Sequence, residues 1–252
     1  MPIYRLNKDL IFPPCNLASK NGLLAIGGDM SLKRIILAYQ NGIFPWPHDN
    51  LPLLWFCPHP RFVLQPKKII ISRTLKKNLK KTTLKIIADH DFAKTIKHCA
   101  IQNRKNQHGS WITKELIKSY CQLNNLGIAH SIEAYDKEKL VGGLYGVSLG
   151  RIFFGESMFT KQNNASKICF ATLVANLVYW NFDLIDCQYK TCNLSQFGAV
   201  HWSRNKFLRL LKISIKKPTK QGHWLLEIFP SNISDKLALS KKKNNLELSQ
   251  IS

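Results

Sequence analysis

An aspartate and a glutamine stand two residues apart in "NFDLIDCQYK", inside what otherwise reads as a short apolar strand. Side chains alternate along a strand, so Leu184, Asp186 and Gln188 fall on one face and Asp183, Ile185 and Cys187 on the other. A buried polar pair must be hydrogen-bonded. That leaves two readings: a satisfied structural network, or a pair that faces a cleft and handles a ligand. A second carboxylate, Glu156 in "RIFFGESMF", lies at the end of another strand-like run among apolar neighbours, where it would contact a cationic or donor-bearing ligand. The loop that follows, "FTKQNNASK", leads into a helix whose first-turn N–H groups form an anion site with Lys167 nearby, unless it is an ordinary turn capped by Asn164. The glycine-rich "LVGGLYGVSLG" is either a concave floor against which something bulky is laid or a bulged, strongly twisted strand. Trp46 in "FPWPHD" and Trp111 in "HGSWIT" stand in loops, where an indole can stack on a base or anchor a small domain.

The elements that must position these residues follow from local patterns. Up to about Leu64 the chain is rich in Pro, Gly and aromatics, and "SLKRIILAYQNG" predicts a short helix capped by Asp29 or Ser31 and ended by Asn41-Gly42. Residues 1–65 are too few for a large core and are expected to form a small domain packed on a larger one. Beyond Lys67, "TLKIIAD" reads as a strand, "DFAKTIKHCAI" as a helix, and "ITKELIKSYCQLNNLG" as an amphipathic helix capped at Thr113 and stopped by Gly127. Three strand-like runs, "IAHSIEAY", "KLVGGLYGVSL" and "RIFFGESMF", predict an antiparallel meander. A helix "ASKICFATLVANLVYW", the strand carrying Asp186 and a helix around "SRNKFLRLL" follow. This order predicts an α+β domain over residues 66–230 with a central, partly antiparallel sheet. The Lys- and Asn-rich residues 231–252 are expected to be a disordered tail.

Bulk composition narrows the function classes. The 252 residues carry a formal charge of +22, Lys+Arg 37 against Asp+Glu 15, which would draw the protein to a polyanion such as nucleic acid. A lysine-biased composition that decorates any surface accounts for the same charge. No apolar run approaches bilayer-spanning length, and "MPIYRLNKDLIFPP" lacks the pattern of a signal peptide, so a cytoplasmic protein without a membrane partner is expected. Seven cysteines, scattered and without a C-x-x-C pair, point to reduced thiols; neither a disulfide framework nor a metal site is indicated.

With "GLLAIGGDMSLKRIILAYQNGIFPW", "HSIEAYDKEKLVGGLYGVSLGRIFFGESMF", "NASK" and "LIDCQ" in this order, the chain closely resembles the leucyl/phenylalanyl-tRNA–protein transferases from about Phe12 to Leu211. The resemblance implies an aminoacyltransferase that moves leucine or phenylalanine, and less readily methionine, from aminoacyl-tRNA to the amino terminus of proteins beginning with arginine or lysine. Those proteins are thereby marked for N-degron degradation. It also implies a small amino-terminal α/β domain beside a GCN5-related acyltransferase-like domain with a mixed, largely antiparallel sheet. Members of that fold that use acetyl-coenzyme A hold its pyrophosphate in a glycine-rich strand-to-helix loop; "FTKQNNASK" has no glycine, so no coenzyme A and no other cofactor is expected. The implied partners are Leu-tRNA and Phe-tRNA, gripped at the 3′ aminoacyl-adenosine end, and the protein is expected to be a monomer.

The resemblance further assigns roles. Asp186 and Gln188 are implied to be catalytic, with Gln188 orienting the attacking amine and Asp186 polarising Gln188 or holding the ribose hydroxyls. Trp46 and Trp111 are implied to contact the terminal adenosine, Glu156 to place the acceptor or the aminoacyl group, and Leu144, Met158 and Ile185 to line the side-chain pocket. The chain departs from the family pattern at Thr191 and Asn193 after Gln188, at Trp202, and at Cys57 and His59 near the domain junction, while Arg204 is kept. A non-catalytic tRNA-binding protein and an ordinary N-acetyltransferase are the alternatives.

Overall fold

In the computed structural model, which describes residues 3–47, 51–102 and 111–237, the aromatic-rich amino-terminal segment folds into a four-stranded sheet. Strand β1 (Tyr4–Leu6) runs parallel to β2 (Leu23–Gly27), helix α1 (Leu32–Gln40) follows, and β3 (Phe44–Pro45) and β4 (Leu54–Phe56) complete the order β1-β2-β4-β3. Of the two candidate caps of α1, Ser31 accepts the Arg34 N–H, while Asp29 accepts the Ser31 N–H at 2.9 Å and pairs with the Arg34 side chain.

The larger sheet begins with β5 (Arg61–Leu64). After it come α2 (Arg73–Lys81), β6 (Lys85–Ala88), α3 (Phe92–Ile101), α4 (Lys114–Asn125) and the meander β7 (Ala129–Asp136), β8 (Lys139–Leu149) and β9 (Ile152–Thr160). Helix α5 (Ala165–Tyr179), β10 (Leu184–Gln188), α6 (Cys192–Gln196), β11 (Val200–Trp202) and α7 (Arg204–Ser214) complete it, and the strand order is β11-β5-β10-β9-β8-β7-β6. Every neighbouring pair is antiparallel except β9 and β10, which run parallel and are joined through α5. Mixed helices and a largely antiparallel sheet give the α+β class expected from the element order. Strand β5, counted with the amino-terminal segment in the sequence reading, is buried at all four residues and hydrogen-bonded into the large sheet between β10 and β11.

Helix α5 is buried on almost every side, because the sheet covers one face and the carboxy-terminal segment the other. Asn176 holds that segment: its Oδ1 accepts the Glu227 and Ile228 N–H groups at 2.9 and 3.0 Å, and its Nδ2 donates to the Ile228 carbonyl at 2.8 Å. The ordered body therefore extends past residue 230. Pro230–Asn232 form a 3-10 turn, Ile233 is fully buried in the α5 layer, and Leu237 packs against the same layer. Apolar residues four apart dock this stretch, whereas the Lys- and Asn-rich composition begins only further along. Residues 238–252 of the expected tail lie outside the described residues.

The glycine-rich strand β8 resolves its two readings in favour of packing within the chain. A Cβ on Gly142 would sit 2.5 Å from the Ala165 side chain at the start of α5, and one on Gly146 would sit 2.2 Å from the Phe154 carbonyl, where the β8–β9 register shifts. What is laid on this strand is α5.

Candidate active site

Strands β9 and β10 are paired only from Leu184–Ile152 to Asp186–Phe154; beyond that point β9 continues and β10 turns away. The resulting gap opens a cavity of about 790 Å³, a size typical of small-molecule sites. Gly155–Met158 of β9 and Ile185–Gln188 of β10 form two walls, Phe170 and Leu173 of α5 the apolar floor, and Trp46 and Trp111 stand on the remaining side. All eight residues singled out in the sequence, Asp186, Gln188, Glu156, Trp46, Trp111, Leu144, Met158 and Ile185, line this one cavity. The loop "FTKQNNASK" contributes none of the described lining residues.

Asp186 and Gln188 meet differently from the expected same-face pair. The β10–β5 register shifts between them, and Gln188 has φ +60. A non-glycine residue in that region costs about 1–3 kcal/mol. The offset is a hydrogen bond from the Gln188 backbone N–H to Asp186 Oδ1 at 3.0 Å, and bonds to a charged acceptor contribute about 1.5–3 kcal/mol. The two effects are of the same size, so Asp186 suffices to hold the turn. Its carboxylate is fully buried and also accepts from Arg61, Nε to Oδ1 at 2.8 Å and Nη2 to Oδ2 at 2.5 Å. Both Asp186 oxygens thus have partners within the protein, and its hydrogen bond to Gln188 runs to the main-chain N–H, where the sequence reading has Asp186 polarising Gln188 or holding the ribose hydroxyls.

The Gln188 amide goes instead to Glu156. Nε2 donates to Glu156 Oε1 at 2.8 Å, and Tyr39 donates to the same oxygen at 2.7 Å. The Tyr120 hydroxyl contacts that of Tyr39 and lies 3.5 Å from Glu156 Oε2. Burial pushes the Glu156 carboxyl up to about 7, with the Asp186 charge adding to the rise and the bonds from Tyr39, Gln188 and Tyr120 opposing it. Burial likewise pushes both tyrosines well above the ordinary phenol value.

Around this polar centre the lining is apolar and aromatic. Trp46 meets Trp111 edge-on at 6.3 Å and lies 5.4 Å from Tyr189. Leu144 and Ile185 are buried wall residues, and Met158, partly exposed, receives the Asn193 amide at 3.5 Å on its sulfur. Arg61, Tyr39 and Tyr120 were not anticipated. Arg61 is the lone charge among apolar strand residues in "RFVL", a pattern that marks a paired interior charge, and Tyr39 stands in the "LAYQNG" motif; nothing local singles out Tyr120.

Against known proteins, the family model described as leucyl/phenylalanyl-tRNA protein transferase matches residues 63–212, and the model for that family's N-terminal domain matches residues 28–59. The chain belongs to this transferase family. A leucyl/phenylalanyl-tRNA–protein transferase of Syntrophobacter fumaroxidans is 45% identical over 224 residues, 89% of this chain and 96% of the relative. One from Thermodesulfovibrio yellowstonii is 46% identical over 89% of this chain and 91% of its own length. A functionally unknown protein of Staphylococcus epidermidis, 13% identical, superposes with a TM-score of 0.39 over 57% of each chain.

The departures from the family pattern have local partners. Thr191 caps α6 by accepting the Leu194 N–H at 3.2 Å, His59 accepts the Arg204 N–H at 3.2 Å, and Lys206 lies over the Trp202 ring at 4.2 Å. Cys57 is buried in the amino-terminal core. Thr191 and Asn193 line the cavity beside β9 and β10; Trp202, Cys57 and His59 are absent from its described lining.

Proposed function

We propose that the protein takes leucine or phenylalanine, and less readily methionine, from the 3′ end of its aminoacyl-tRNA and joins it to the α-amino group of proteins beginning with Arg or Lys, marking them for N-degron degradation. Membership of the transferase family underlies this reading, and the Gln188–Glu156 bond carries its chemistry. With Nε2 turned to Glu156, the amide presents its carbonyl oxygen to the cavity as an acceptor for the incoming amine. The amine nitrogen bonds the ester carbonyl carbon, the carbon–oxygen bond to the tRNA breaks, and the departing ribose oxygen takes up the proton that the amine nitrogen gives up, leaving a hydroxyl on the tRNA. A free α-amine titrates at about 7.7–8.0, so orientation and a slight bias toward the neutral form suffice near neutral pH. Asp186 is neutralised by Arg61, which makes Glu156 the carboxylate lining the cavity that attracts the acceptor ammonium.

Trp46 and Trp111 stack on the terminal adenosine, and the wall of Leu144, Met158 and Ile185 receives the unbranched-β apolar side chain, with polarizable Met158 adapting to Leu, Phe or Met. The body is read as a small amino-terminal domain on a GCN5-related acyltransferase-like one. The reading is supported by a β7–β9 meander that crosses through α5 to a parallel β10 and leaves a gap between β9 and β10. We place the enzyme in the cytoplasm as a monomer; among the described residues no helix is long and apolar enough to cross a membrane. The test is to incubate the protein with labelled Leu-tRNA or acetyl-coenzyme A and peptides beginning with Lys or Arg, then weigh the products. A leucine mass increment is expected; an acetyl increment, or no product, overturns the proposal.

A further inference from the structure

We infer that Arg61 is a positioning residue of the transfer reaction, holding through Asp186 the left-handed turn that aims the Gln188 amide. The inference rests on the proposed function and names a residue that acts without touching either substrate. Arg61 is fully buried, and it is absent from the described lining of the cavity. Its guanidinium packs against two rings, with Cζ 4.9 Å from the Phe44 centroid and 4.6 Å from that of Phe207. Nε and Nη2 both donate to Asp186, and Nη1 has no partner among the described residues, so all its described side-chain hydrogen bonding goes to one carboxylate. A fork packed against two rings and bonded through two nitrogens sets the plane of that carboxylate, which a lysine cannot do.

Asp186 Oδ1 is the shared atom: it accepts from Arg61 Nε at 2.8 Å and from the Gln188 backbone N–H at 3.0 Å. Three hydrogen bonds therefore link Arg61 to Glu156 through Gln188: guanidinium to carboxylate, carboxylate to the Gln188 main chain, and Gln188 side chain to Glu156. Stability alone is a poor reason for the pair, because buried ion pairs are often replaceable by apolar residues of similar size without loss of stability. Phe44, which stacks on Arg61, also lines the cavity, so the guanidinium braces the wall from behind.

The experiment uses the full chain as wild type, Arg61→Lys, and the double variant Arg61→Met with Asp186→Leu, whose apolar pair keeps the core filled if the single variant folds poorly. Each is assayed for leucine transfer from Leu-tRNA to a peptide beginning with Lys, and each is crystallised. The expected result is a fall in kcat of roughly tenfold to a hundredfold with KM for Leu-tRNA within about threefold of wild type, the size of effect that misplacement of a reacting group produces. The crystal structures should show the Gln188 amide displaced from Glu156. A folded variant with kcat within about twofold of wild type, or with Gln188 still in its left-handed turn on Glu156, overturns the inference. Should wild type transfer no leucine, the proposed function fails, and the position of Gln188 in the variant structures still decides whether Arg61 holds it.

Discussion

Gln188 Nε2 donates to Glu156 Oε1 across 2.8 Å, and that bond turns the carbonyl end of the same amide away from the carboxylate. Removing the amide should therefore cost turnover more than binding. Gln188→Ala is expected to lower kcat roughly a hundredfold, about 2.7 kcal/mol of transition-state stabilisation, with KM for Leu-tRNA changed by only a few-fold. Initial rates at saturating Leu-tRNA check it, and kcat near wild type would make the pair structural.

Glu156 should leave a signature in stability against pH. Its carboxyl titrates near 7 in the folded protein, above the ordinary 4.5, chiefly through burial. The folded state thus holds this proton more tightly than the unfolded chain. The contribution is present in full below the ordinary value and is lost as pH rises through about 7, a change of roughly 3 kcal/mol. Glu156→Gln removes the titration, so the gap between wild type and variant in urea-unfolding free energy should shift against wild type from pH 4 to pH 8. A constant gap would contradict the assignment.

Much of this site was legible along the chain and part was not, for physical reasons. Period-two alternation singled out Asp186 and Gln188, the strand-end context Glu156 and the loop contexts both tryptophans, because these depend on neighbours in sequence, while Leu144, Met158 and Ile185 came only with the family resemblance. The left-handed backbone at Gln188 was hidden, since glutamine carries no signal for positive φ. Arg61 and Tyr39 stand 125 and 117 positions from the carboxylates they bind, and no local pattern encodes such distances. The packing of residues 231–237 on the body was hidden for a related reason: Ile233 is flanked by polar residues, and only Asn176 and the α5 layer reveal that it is core.

Met158 offers a test of substrate choice. It lines the cavity beside the buried Leu144 and Ile185 and is itself partly exposed, so a larger side chain has the cavity as its way out. Met158→Trp is expected to reduce Phe transfer at least about tenfold relative to Leu transfer, as the larger substrate loses room first. Competition between labelled Phe-tRNA and Leu-tRNA measures it; an unchanged ratio would remove Met158 from the specificity wall.

Trp224 should be worth as much as a central core residue although it lies near the end of the described chain. It is 1% exposed, and its ring stacks on His130 at 3.8 Å with 6° between the planes. Its backbone N–H donates to Asp89 at 2.8 Å. Trp224→Ala is expected to destabilise by about 3–5 kcal/mol. For a chain of this size that is a drop in Tm of roughly 10 °C, readable by calorimetry. A drop of only a degree or two would mean that the segment merely rests on the body.

The parting of β9 and β10 has a consequence for affinity. A gap that exists because inter-strand pairing stops at Asp186 and Phe154 is a permanent shape of the sheet, set by where a parallel ladder ends. If the proposed function holds, an aminoacyl-adenosine arriving there would meet a preorganised mould, with no strand to separate and no core to open. Little of the interaction free energy is diverted into remodelling the protein, and what the substrate gains from the aromatic and apolar walls is left for holding the ester in line with the amine.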